Sequence, residues 1–265
     1  MDRKWRYYLL GSLASAFQHL RSLFPAWKAL ESIVARLSFV HSVYGPYLSI
    51  AAGDRTFELC VAGYGPFVAD AIAAQDRPFV FLDIGANLGL FSLLAARNPY
   101  CQRAIAIEPL PEIFRNLEAN IRRNGANNVE AILGAVSAAA DDFVHLSFDA
   151  RHSGMSKIVD RQCGAVRAPV ISAGKLDLLF PKPADTIVVK IDVEGSEIDV
   201  LSALRRTRFY GAIEEIIIEV SELNLGSAKR SDLLGLLAQD GYVELSRAGA
   251  PNHYDARYRR VAAPD

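Results

Sequence analysis

The sequence predicts an α/β fold, a mainly parallel sheet covered by helices on both faces. Three observations carry this prediction. Short apolar, β-branched runs alternate with helix-periodic segments through most of the 265 residues, the pattern left by strand–helix–strand crossovers. The stretch FVFLDIGANLGLFSLLAAR at 79–97 joins a buried strand to a helix through a glycine-bearing turn. Three apolar strands also end in an acidic residue followed by a turn, at Asp83, Glu108 and Asp192. In a parallel sheet the carboxyl ends of the strands are where ligands bind, near the point where strand order reverses.

Composition narrows the class. The length suits one α/β domain with additions, and 51% hydrophobic with 22% charged residues is ordinary for a chain with a proper core. A formal net charge of -1 gives no general attraction to nucleic acid, so no nucleic-acid partner is expected. Cys60, Cys101 and Cys163 lie far apart with no CxxC spacing. That argues against a disulfide framework or structural zinc and fits a reducing, cytoplasmic setting.

The elements follow in order. MDRKWRYYLLGSLASAF imitates a signal peptide, but Leu9, Leu13, Phe17, Leu20 and Phe24 continue a helical face past it. An amphipathic helix over 4–23 is the better reading. Pro25 opens a second helix. Arg3, Lys4, Arg6, Arg21, Lys28 and Arg36 make this end basic. It is read as a helical cap on the domain, with peripheral contact to an anionic membrane surface as the alternative. The expected division is an N-terminal helical extension at 1–44 and an α/β domain at 45–265. In that domain 45–75 is a hairpin about Gly53-Asp54 followed by a helix from Pro66 to Ala74, and 79–245 is the core.

In the core, strands are expected at 79–82, 103–107, 129–136, 143–148, 166–171, 186–192, 213–220, 242–245 and 258–261. Helices are expected after Gly89 and at 111–124, 173–179, 197–205 and 231–239. Ser196 is placed to cap the helix at 197. Residues 149–164 are polar and glycine-bearing and read as a loop.

The strand ends carry the chemistry. Asp83-Ile-Gly85-Ala86-Asn87-Leu-Gly89 has two glycines where the dinucleotide fingerprint GxGxxG has three. An aspartate before them is a poor host for a diphosphate and a good host for a sulfonium or ammonium group, which suits S-adenosylmethionine. Glu108-Pro109 follows Gly89 at the spacing where a carboxylate accepts from a ribose diol. Asp192 and Glu194 are two residues apart after a buried strand, so both carboxylates can face one pocket. Glu197 is read as serving the N-terminal end of its helix.

FLDIGANLG, then AIEP, then VKIDVEGSEIDVL resembles the FkbM family of S-adenosylmethionine-dependent methyltransferases. HSGMS at 152–156 is similar to that family's glycine/serine loop, and Lys175-Leu-Asp177 to its leucine-aspartate step. The resemblance covers about residues 45 to 245. It implies a Rossmann-like class I methyltransferase fold with a seven-stranded sheet and an antiparallel final strand. It also implies methyl transfer, commonly to a hydroxyl of a sugar, glycan or secondary metabolite. Carried over by position, Asp83, Gly85, Ala86, Asn87 and Gly89 surround the methionine part of the cofactor. Glu108 and Pro109 lie at the ribose, and Asp192 lies beside the methyl-bearing end. Ala135 and Val136, with Ser137, are assigned to the adenine by backbone contact.

A hydroxyl acceptor must lose its proton during attack. Asp192, Glu194 and His152 are the candidate catalytic residues, with His145 as a further candidate base. A divalent cation bridging Asp192 and the acceptor would suit oxygen ligands, but no second aspartate pair has convincing spacing, so no metal ligand is assigned. The rival readings are a non-catalytic binding protein of the same fold and a nicotinamide-dependent oxidoreductase. The acid at Asp83 and the missing first glycine count against the oxidoreductase.

Overall fold

The computed structural model describes residues 39–51, 53–163, 166–180 and 186–261. The helices expected at 4–23 and after Pro25 lie outside the described residues. The described chain opens with an antiparallel pair, β1 (Phe39–His41) and β2 (Tyr47–Ser49). No hairpin forms about Gly53-Asp54. Residues 55–62 are instead a helix, α1 (Arg55–Ala62), and the Asp54 side chain accepts from Thr56 N at 2.9 Å to cap it. Phe57, Cys60 and Val61 fit helical spacing as well as they fit a short strand, and the aspartate cap decides between the two.

There follow α2 (Pro66–Ala73), β3 (Phe79–Ile84), α3 (Leu90–Ala96), β4 (Cys101–Glu108), α4 (Pro111–Asn124) and β5 (Val129–Leu133). Then come β6 (Ala135–Val136), β7 (Phe143–Leu146), β8 (Ile158–Val159), β9 (Val166–Ile171), α5 (Ala173–Leu179), β10 (Ile187–Ile191) and α6 (Glu197–Leu204). The chain closes with β11 (Ile213–Ser221), α7 (Glu222–Leu225), α8 (Ser227–Gln239), β12 (Tyr242–Ala250) and β13 (His253–Arg260).

The central sheet has seven strands in the order β12-β13-β11-β10-β3-β4-β5. β3, β4, β5, β10 and β11 run parallel, and β13 is antiparallel to both its neighbours. This is the Rossmann-like class I methyltransferase fold. The strand order reverses between β3 and β10, which opens a crevice at their carboxyl ends.

The strand alternation assigns the two faces. Phe79, Phe81, Val188 and Ile217 pack with Val68, Ile72 and Phe91 of α2 and α3. Leu82, Ile84, Val189, Ile191, Ile216 and Ile218 pack with Leu176, Val200, Leu204, Leu233 and Leu237 of α5, α6 and α8. Each such side chain contributes about 1.5–3 kcal/mol by leaving water.

Three expected elements are redrawn. The run 129–136 is not one strand, because the chain leaves the central sheet at Gly134. A Cβ there would lie 2.6 Å from Ile171 Cγ1 and 2.8 Å from Pro169 O. That close crossing lets β6 join a smaller sheet of order β6-β9-β7-β8. β12 and β13 extend beyond the expected 242–245 and 258–261, since arginines such as Arg247 and Arg257 continue the ladder without an apolar pattern. Among the described residues, no helix is long and apolar enough to cross a membrane.

Candidate functional site

A cavity of about 360 Å³ lies at the carboxyl ends of β3, β4, β10 and β11. Gly85, Asn87, Glu108, Pro109, Ala135, Val136, His152, Asp192 and Glu194 line it. The structure does not bring Asp83, Ala86 or Gly89 to its wall, and His145 lies on β7 away from it.

Asp83 falls on the same face of β3 as Phe79 and Phe81, turned toward α3. It is fully buried, and its Oδ2 accepts from Ser92 Oγ at 2.6 Å. Its other oxygen lies 3.2 Å from Lys190 Nζ. Lys190 pairs with Asp83 across the sheet, lies 3.4 Å from Asp192 Oδ2, and donates to Gly85 O at 2.9 Å. Burial alone would push the ammonium down. Asp83 and Asp192 more than reverse this and hold it above the ordinary lysine range. Asp83 therefore acts through Lys190 and not by touching a ligand in the cavity.

Gly85 adopts φ +81, and a Cβ there would stand 1.9 Å from Asp192 O. Only glycine lets the turns after β3 and β10 meet this closely. Asn87, also left-handed at φ 49, donates its backbone N–H to Glu108 Oε2 at 2.9 Å. Leu110 N donates to Glu108 Oε1, also at 2.9 Å. Two backbone groups thus fix the Glu108 carboxylate at the cavity wall. Burial raises its pKa to about 7, against the opposing pull of those N–H groups and of Lys190.

Beyond β10, Glu194 is held at φ 54, a left-handed conformation that costs a non-glycine residue energy and clusters at functional sites. Its Oε2 accepts from Asn224 Nδ2 at 2.5 Å. Burial, then the charge of Asp192, pushes its carboxyl up to about 7. Ser196 occupies the N-cap position of α6 but makes no side-chain cap bond. Glu197, the first residue of α6, accepts from Gly195 N at 2.9 Å and so braces the turn that leads into the helix. The neighbouring strand adds Glu219, which is buried and raised by burial and by Asp192 and Glu194. Asp255, its partner across β13, is pushed up to about 7 by burial and Asp192.

The 152–156 loop forms the opposite wall. Ser153 donates to Asp54 from its backbone N at 3.1 Å and from Oγ at 2.7 Å, and Gly154 N donates to Thr56 Oγ1 at 2.8 Å. One aspartate therefore caps α1 and ties the loop to it. His152 Nδ1 is buried at the cavity with no hydrogen-bond partner among the described residues. Ala135 and Val136 are buried at the wall, while Ser137 N is engaged with Ile171 O at 3.4 Å.

Sequence reasoning missed Lys190, Asp54 and Glu219. Glu219 carried the same signal as the three acids it did find, a charge at the carboxyl end of an apolar strand. Lys190 was visible as a charge inside one.

With the geometry in place, the comparisons with known proteins can be read. The family described as Vibrio cholerae RfbT protein matches residues 70–234, more than half of the chain. The chain belongs to this family. Within the RfbT match lie β3, β4, β10 and β11, hence the strand ends that build the cavity. Methyltransferase sdnD of Sordaria araneosa is 27% identical over 203 residues, covering 65% of this chain and 76% of that protein. The AMB antimetabolite synthetase AmbE of Pseudomonas aeruginosa is 29% identical over 221 residues, or 69% of this chain. The chain spans only 10% of AmbE's length. Among solved structures, Trm5b from Pyrococcus abyssi aligns with a TM-score of 0.48 at 16% identity, covering 84% of this chain and 56% of that one. At that level the likeness adds nothing to the strand order. Fold and relatives together place this RfbT-family chain among methyltransferase-like proteins.

Proposed function

We propose that the protein is an S-adenosylmethionine-dependent methyltransferase of FkbM type, and that it acts on a hydroxyl of a sugar, glycan or secondary metabolite. The observation that carries the reading is Glu108. It is a buried strand-end carboxylate at the cavity wall, with both oxygens aimed by backbone N–H groups and no ion pair among the described residues. Such a group suits the two donors of a ribose diol. Asp83, Lys190, Asp192 and Glu194 leave an excess of negative charge nearby, favourable to a cationic amino acid end. Ala135 and Val136 offer an apolar wall for a base.

When bound, the cofactor supplies an electrophilic methyl group, so the protein's task is chiefly alignment. Asp192, which lines the cavity, would lie beside the methyl-bearing end of the cofactor. Glu194, with a carboxyl near neutrality, and His152, with its free Nδ1, are the groups able to take the acceptor's proton. The motifs IDVEG and HSGMS support the FkbM-type assignment, and the RfbT-family match and the relative sdnD support methyl transfer.

Calorimetry with S-adenosylhomocysteine tests this reading. Glu108→Ala removes hydrogen bonds to a charged group, about 1.5–3 kcal/mol, so binding is expected to weaken about 10- to 150-fold. No binding by the unaltered chain at high protein concentration removes the proposal. A labelled-methyl screen against glycans and metabolites then identifies the acceptor.

A further inference from the structure

One cluster of carboxylates at the cavity is larger than cofactor binding requires. Asp192 and Glu219 follow paired residues Ile191 and Ile218 on adjacent parallel strands, so they stand side by side on one face. Glu194 comes back to them through its left-handed turn. One carboxylate oxygen from each lies within 4.8 Å of the others, and all three residues line the cavity.

Acids alone would prove little, but among the described residues two buried polar atoms at the cluster have no hydrogen-bond partner. Glu219 is 7% exposed, its Oε2 has no hydrogen-bond partner, and its Oε1 meets only His253 Nε2 at 3.5 Å. Ser221, two residues on along the same face and 2% exposed, has an unpartnered Oγ at the same cavity. Lys190 is already shared between Asp83 and Asp192, and the other lysine at the cavity, Lys157, acts on Glu194 too weakly to offset burial and Asp192.

We infer that Asp192, Glu194 and Glu219 form a binding site for a single hard divalent cation, open to the cavity so that an acceptor oxygen can complete its coordination. Oxygens facing each other across such an ion stand at twice the metal–oxygen distance, about 4.0–4.2 Å for magnesium and about 4.6–5.2 Å for calcium. Ligands of one ion stand no farther apart than that, and the three oxygens here lie within 4.8 Å of one another, inside the calcium limit. The set is all oxygen, which selects hard cations over zinc or copper. Rigid strand ends supply two of the ligands. An acceptor hydroxyl on the ion would be oriented and made more acidic. That role rests on the methyltransferase reading; the site itself does not.

The test uses the full chain and Mn²⁺, followed by the electron paramagnetic resonance signal of the free ion, with S-adenosylhomocysteine calorimetry run in parallel. One Mn²⁺ per chain is expected. Glu219→Gln and Glu194→Gln should each weaken it at least tenfold, and Glu219→Gln should leave S-adenosylhomocysteine binding within about twofold. If Glu219→Gln also loses S-adenosylhomocysteine, its fold is lost, and the half-buried Glu194→Gln decides. No Mn²⁺ bound by the unaltered chain overturns the inference, as does binding that Glu194→Gln leaves unchanged. An amine acceptor held by the same acids would give that first result. Mn²⁺ binding without S-adenosylhomocysteine binding would instead keep the cation site and remove the methyltransferase reading.

Discussion

Lys190 carries a charge inside a parallel sheet because Asp83 and Asp192 more than offset the cost of burying it. The pair is more fragile than it is stabilising. Lys190→Met would leave Asp83, fully buried, with only Ser92 Oγ as a partner. Removing one member of a buried pair costs about 3–5 kcal/mol, whereas replacing both members is often near neutral. Urea denaturation should therefore show a large loss for Lys190→Met, most of it recovered in Asp83→Asn/Lys190→Met. A single variant as stable as the parent would mean the pair does not hold the strand ends together. At this scale residue identities were legible but side-chain directions were not. That Asp83 ends a buried strand is readable. That it turns toward α3 and a lysine depends on the pleat and on β10 lying alongside, neither of which a local motif records.

Elements were legible wherever periodicity and punctuation agreed. The helix at 111–124 runs from Pro111 to the glycine after Asn124 as its sequence indicates. The hairpin about Gly53-Asp54 failed because glycine-aspartate marks a turn and aspartate also begins a helix. Asp54 chose the second role and gained a third, anchoring the loop at Ser153. That anchor spans 99 residues of sequence, so no pattern within α1 reveals it. Asp54→Ala removes a cap worth about 0.5–2 kcal/mol and both bonds to Ser153. Global stability should fall by at least the cap's share. Amide exchange at 152–156 should also accelerate more than in α4, because the loop loses its tie to α1. Uniform acceleration across the chain would assign Asp54 to the cap alone.

At the scale of the whole molecule, strand order decides what the site is. The acids at 108, 192 and 219 are far apart in sequence and converge only because the order reverses between β3 and β10. The strand-end pattern of an acid after an apolar run located the first two and was present at Glu219 as well, while the pairing of β10 with β11 is what sets Glu219 beside Asp192. The resulting burial of acid has a consequence for stability that Glu108 isolates. Its carboxyl is raised from 4.5 to about 7 by burial, with Asp83 adding to the rise and Lys190 opposing it. Between those pH values the native chain holds a proton at Glu108 that the unfolded chain has released. Stability therefore falls as pH rises from about 4.5 to 7, and the loss is complete above 7. Glu108→Gln cannot ionise, and its amide leaves either Asn87 N or Leu110 N without an acceptor. That lost hydrogen bond costs the variant a fixed amount at every pH, while the variant escapes the loss that the parent suffers as Glu108 ionises. Melting temperatures at pH 5 and pH 7.5 separate the two effects. The parent should lose up to about 3 kcal/mol relative to the variant across that interval. A constant difference between the two chains would mean that Glu108 is already ionised at pH 5, with its two backbone donors outweighing burial.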